Sequence, residues 1–153
     1  MDATAEATKI GTLDELQAAL SELGYECNRV DMDGDGTPEP LLTAVINVDD
    51  KSYSIVISQE EHHFLVDCEF CQLKDLSDDN AEKMTAQLLA VLALNHDIAP
   101  FAFAVVDSGL DGIDPTDPIV LVHRLPIGDL SVEEVNQAFA SLRQGINAAV
   151  VSI

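Results

Sequence analysis

Leucines and other apolar residues recur along this chain with two different periods. Leu13, Leu16, Leu20 and Leu23 follow a helical spacing, and Thr12-Leu13-Asp14-Glu15 ahead of them is a T-x-x-E capping box. Gly24 suits the position just past a helix end. A first helix is therefore expected over 13–23. The period then shortens to two. Tyr25 to Val30 is a possible short strand. LLTAVINV (41–48), SYSIVISQ (52–59) and HHFLVDCEFCQL (62–73) read as strands separated by hairpin-length breaks at 49–51 and 60–61. In the last of them Phe64, Val66, Cys68 and Phe70 fall on one face, and Leu65, Asp67, Glu69 and Cys71 on the other.

A helical period returns after Leu76. Ser77 is the expected cap, with Asp78 and Asp79 placed where the helix dipole favours negative charge. Met84, Leu88, Val91, Leu92 and Asn95 mark one face, and the helix should stop near Asn95-His96, ahead of Pro100. FAFAVVDS (101–108) and PIVLVHRL (118–125) read as two further strands. The segment between them, GLDGIDPTD, is rich in turn formers. Ser131 and Glu134 form a second capping box, and Leu130 can staple to Val135. Val132, Val135, Phe139, Leu142, Ile146, Ala149 and Ile153 then form a seam with alternating spacings of three and four.

The expected order is α-β-β-β-α-β-β-α, with a possible extra strand before the first hairpin. This is an α+β fold in which an antiparallel sheet of about five strands carries packed helices. Residues 1–11 read as a disordered end, and 12–153 as a single domain.

Composition narrows the partner class. Only 7 Lys+Arg stand against 28 Asp+Glu, a formal net charge of −21. The basic residues are scattered, so neither nucleic acid nor an anionic membrane is an expected partner. With 47% hydrophobic residues the chain can build a core. No apolar run is long enough to span a membrane. The N-terminus lacks a signal-peptide pattern, and three cysteines is an odd number for a disulfide framework, so a cytoplasmic protein with free thiols is expected.

Candidate chemistry begins with DMDGDGTPEP (31–40). Asp31, Asp33, Asp35 and Gly36 match the first half of an EF-hand loop. Position 12 of that loop is Leu42, which has no side-chain oxygen, and Glu39 falls at position 9. The flanks read as strands, where the motif needs helices. A turn built by Asp-Gly pairs is the expected structure, with a weak calcium site at Asp31, Asp33, Asp35 and Glu39 as the alternative. The loop at 107–117 shows turn formers and no ligand spacing. Cys68-Glu69-Phe70-Cys71 is a CxxC, but it lies in a strand, where residues three apart face opposite ways. Cys27, His62 and His63 extend it to an imaginable zinc site without standard spacing. His123 reads as a satisfied or edge histidine. No nucleophile elbow surrounds Asp107-Ser108, and no phosphate loop is present. No catalytic residue and no cofactor are assigned.

The order of elements, with LLAVLALNHDIAPFAFAVVD (88–107) and PIVLVHRLPIGDLSVEEVNQAFASLRQGI (118–146), resembles the type III secretion chaperone-like fold. YbjN-type bacterial proteins look like relatives of it. The resemblance covers most of 12–150 and has no diagnostic catalytic motif. It implies a cytoplasmic, non-enzymatic protein that dimerises and binds another protein, as a secretion chaperone or as a regulator of YbjN type. The long acidic loops and the CxxC depart from the chaperones. Val135, Phe139, Leu142 and Ile146 on the last helix are the expected surface for a partner or a second copy.

Overall fold

The computed structural model describes residues 9–30, 41–76, 80–106 and 115–152. Three helices and six strands follow the chain as α1 (Leu13–Glu22), β1 (Glu26–Arg29), β2 (Leu41–Val48), β3 (Lys51–Gln59), β4 (His63–Gln72), α2 (Ala81–Ala93), β5 (Ala102–Val105), β6 (Pro118–Pro126) and α3 (Val132–Ser152). The sheet order is β1-β2-β3-β4-β6-β5, and every neighbouring pair is antiparallel. The α+β class and the element order are as expected, with the possible extra strand present as β1.

Local chemistry explains the boundaries. Thr12 caps α1, its hydroxyl accepting from Glu15 N at 3.2 Å. Glu15 reaches back one residue further than a standard box and accepts from Gly11 N at 3.0 Å. The helix closes in a Schellman turn. Tyr25 N donates to Leu20 O, Gly24 N donates to Ser21 O, and Gly24 has φ 95°. Ser131 Oγ accepts from Glu134 N at 3.1 Å and starts α3. In the β2–β3 hairpin Val48 pairs with Lys51, which leaves Asp49-Asp50 as a two-residue turn. Asp49 has φ 55°, a left-handed geometry that aspartate tolerates better than most residues.

Three boundaries differ from expectation. The second helix starts at Ala81, where Asn80 Oδ1 accepts from Lys83 N at 3.1 Å. Asn80 is as good a cap as Ser77, and Ser77 lies outside the described residues. The strand expected at 101–108 shortens to Ala102–Val105. The ordered chain also reaches back before residue 12. Ile10 is 1% exposed, and its N–H donates to Leu130 O at 2.8 Å.

The two faces of the sheet are unlike. One carries Leu42, Ala44 and Ile46 from β2, Ile55 and Ile57 from β3, Phe64, Val66 and Cys68 from β4, and Leu121 from β6, all 2% exposed or less. These residues join Leu16 and Leu20 of α1 and the α3 seam in one core. Tyr25 and Phe139 meet there at 4.8 Å between ring centroids. Gly145 lets α3 come close to β6, since a Cβ at that position would stand 2.9 Å from Leu121 Cδ2. The opposite face shows a row running Asn28, Thr43, Val56, Asp67, Val122 and Ala102 across the strands. None of these six is buried.

Candidate protein-binding surfaces

The helical seam expected to meet a partner is internal. Val135, Phe139, Leu142 and Ile146 are all 0% exposed, packed into the chain's own core. The reason is elementary: a sheet with one apolar face needs an equally apolar element to cover it, and this seam is the longest on offer. Any partner surface has to be built from other residues.

Helix α2 supplies one. It buries a single residue, Val91, out of thirteen. Met84 and Leu88 lean against the core as half-buried neighbours. Leu89 is 61% exposed and Leu92 41%. Leu92 was expected on the buried face with Val91. The apolar arc of this helix is wider than one stripe, and the Leu88-Leu89 and Val91-Leu92 doublets were the visible signal. Gln87 Oε1 is buried yet finds no hydrogen-bond partner among the described residues. Beyond the helix, Asn95 fixes the start of β5, accepting from Phe103 N at 2.6 Å and donating to Phe103 O at 3.3 Å.

The uncovered sheet face is a second surface. Val56 is 42% exposed there, with Asp67 between it and Val122 in the cross-strand row. Burial raises the Asp67 carboxyl above its ordinary value, and the neighbouring Glu69 adds to the shift. A third feature is a cleft of about 460 Å³ at one end of the sheet. The β2–β3 turn, the end of β4 and the last turn of α3 enclose it.

The chemical candidates are dispersed. Asp31, Asp33, Asp35 and Glu39 lie outside the described residues, as do Asp107 and Ser108. Cys68 is buried in the core, whereas Cys71 is half-buried on the cleft wall. Burial first, then nearby carboxylates, pushes the Cys68 thiol up to about 12 and the Cys71 thiol up to about 11. Both stay protonated at neutral pH, so neither is an activated nucleophile. Cys27 is buried between α1 and β1, its sulfur 3.4 Å from Ser21 Oγ and 3.5 Å from Gln17 O. Among the described residues no three His, Cys, Asp or Glu side chains gather as metal ligands. His123 sits half-buried, with its ring 5.3 Å from that of Phe101, and burial lowers its pKa. No helix among the described residues is long and apolar enough to cross a membrane.

No family model matches the chain, and no curated protein matches it. Among solved structures it is similar to a chain of the heterodimeric complex ExoU–SpcU from the type III secretion system of Pseudomonas aeruginosa. The TM-score is 0.55 at 18% identity, over 90% of this chain and 97% of that one. An identity this low speaks to architecture alone, and the architecture is that of the type III secretion chaperone-like fold.

Proposed function

We propose that this protein is a non-enzymatic, cytoplasmic module that binds another polypeptide in the manner of a secretion chaperone. The observation that carries this reading is α2: a leucine-rich helix that buries one residue in thirteen and leaves Leu89 and Leu92 in water. Exposed leucines one turn apart on a helix are what an interface looks like before its partner arrives. The structural neighbour belongs to a heterodimeric complex, which supports a protein partner. The protonated state of Cys68 and Cys71 supports the absence of thiol catalysis.

A second copy of the chain is the other candidate occupant of this helix face, since a two-fold axis sets a patch against itself. Light scattering on the purified protein separates the two occupants. A dimer lost on Leu89→Asp with Leu92→Asp assigns the face to a second copy. A monomer that captures one stoichiometric partner from native cell extract, through the same leucines, assigns it to another protein. A monomer whose capture is unaffected by the double variant overturns the proposal. The state of the captured partner also decides between the chaperone reading and a regulator of YbjN type. A chaperone holds a partly unfolded segment, whereas a regulator binds a folded protein.

A further inference from the structure

The cleft at the hairpin end has a chemistry of its own. Its floor is aromatic: Tyr53 and Phe70 stack at 6.1 Å with their planes 4° apart, and Phe70 meets Phe103 edge-on at 5.8 Å. Its rim is acidic, with Asp49 and Asp50 on the turn and Asp75 just past β4. Glu69 lines the shallow extension beside it. The last turn of α3 supplies Val150 to the wall and contains no basic residue, so nothing on that turn offsets the negative end of the helix dipole.

Two further observations point to a ligand. Tyr53 is only 4% exposed, and its hydroxyl, which is not among the buried atoms left without a partner, opens to the cleft it lines. Burial raises that phenol's pKa, with Asp49 among the charges adding to the shift, so it stays protonated and its oxygen can accept from a cationic N–H. The chain's own Lys51 also holds its ammonium 5.2 Å from the centre of the Tyr53 ring. That lysine shows that the Tyr53 face accepts a cation, and a partner's cation has to compete with it there.

We propose that this cleft receives an arginine or lysine side chain flanked by an apolar residue on a partner polypeptide. The aromatic floor suits the apolar stem, and the rim suits the charged head. The charge of −21 steers such a segment toward the protein. The carboxylates do not converge as ligands for an ion, since no metal-binding group forms among the described residues. A protein segment is favoured over a free polyamine because Val150, 47% exposed on the wall, offers an apolar contact that a polyamine uses poorly. This inference rests on the protein-binding reading, but its test needs only the purified chain and a peptide. Failure here leaves α2 untouched, and failure at α2 leaves the cleft untouched.

The probe is a fluorescein-labelled Leu-Arg-Leu-Arg-Leu peptide, titrated at low salt against the same peptide with citrulline for arginine. Loss of the charge should weaken binding by about tenfold. Amide shifts should gather on residues 48–54, 69–75 and 148–152. Asp49→Asn with Asp75→Asn keeps the turn geometry and the bond from Gln72 N to residue 75. It should weaken binding several-fold more than Glu22→Gln with Glu82→Gln, which removes equal charge elsewhere. Tyr53→Phe should weaken binding by roughly threefold, the worth of one modest hydrogen bond. Lys51→Met should tighten it, and Lys83→Met should tighten it less, because only Lys51 competes for the ring. Equal binding of the citrulline peptide, shifts scattered over the acidic surface, or equal losses in the two acidic double variants would overturn the proposal. Displacement of the peptide by spermidine at equal charge would assign the cleft to a free polycation and overturn it too.

Discussion

Helices α2 and α3 make opposite use of similar material. α2 reads AEKMTAQLLAVLA, with apolar residues on most of its surface, and buries one of them. α3 is longer and carries more polar residues, yet buries seven. Exposure of the more apolar helix inverts the usual rule for a monomer. Covering the sheet explains the buried seam of α3, though Val150 and Val151 in its last turn remain exposed. Leu88 leans on the core, but nothing within the described chain covers Leu89 and Leu92, and the proposed partner is placed there for that reason.

The contrast can be attacked where it is strongest. Phe139→Ala removes a fully buried ring from the α3 seam and should cost about 3–5 kcal/mol in urea unfolding. The double change Leu89→Asp with Leu92→Asp should cost only about 1–2 kcal/mol, from lower helix propensity and negative charge near the end of α2, since Leu89 is 61% and Leu92 41% exposed. It should nevertheless weaken partner or self-association by about tenfold or more, as loss of interface anchors does. A stability loss comparable to that of Phe139→Ala would make α2 a core helix and end the comparison.

The acidic segment before β2 extends the question to calcium. If Asp31, Asp33, Asp35 and Glu39 hold calcium, 10 mM calcium at a dissociation constant near 1 mM should add about 1.4 kcal/mol. The melting temperature would rise with calcium but not with magnesium, and Asp33→Asn with Asp35→Asn would abolish the rise. An unchanged melting temperature would sink the calcium reading.

The smallest effect compares the two faces of the sheet. Asp67 stands among valines with its folded-state pKa raised by burial and by Glu69. A raised carboxyl contributes stability that is fully present below the ordinary value of 3.8 and lost as pH rises through the folded value. Asp67→Asn should therefore raise the melting temperature at pH 7, and the gain should vanish below pH 3.8. Asp67 is partly solvated, so the gain is under about 1 kcal/mol. A gain that persists in acid would trace to packing rather than charge. A covered face would show a much larger gain, so the size of this effect measures how open the face is.

What sequence alone determined was local. The capping residues Thr12 and Ser131, Gly24 past α1, and the period-two strands of 41–73 are set by interactions a few residues apart, and these elements formed where the pattern put them. Strand parity put Cys68 in the core, but the register shift between Glu69 and Cys71 breaks the alternation there, and burial is what keeps both thiols protonated. Periodicity reveals that a helix has an apolar face. It cannot reveal whether that face meets the chain's own sheet or water, because this depends on how much sheet remains uncovered once the other helices have packed. Tertiary structure decided that the α3 seam is core and that Leu89 and Leu92 are surface. It also gathered Asp49, Tyr53, Phe70, Asp75 and Val150 around one cleft. Those residues are far apart in sequence, and only the antiparallel register of β3 on β4 and the reach of α3 bring them together.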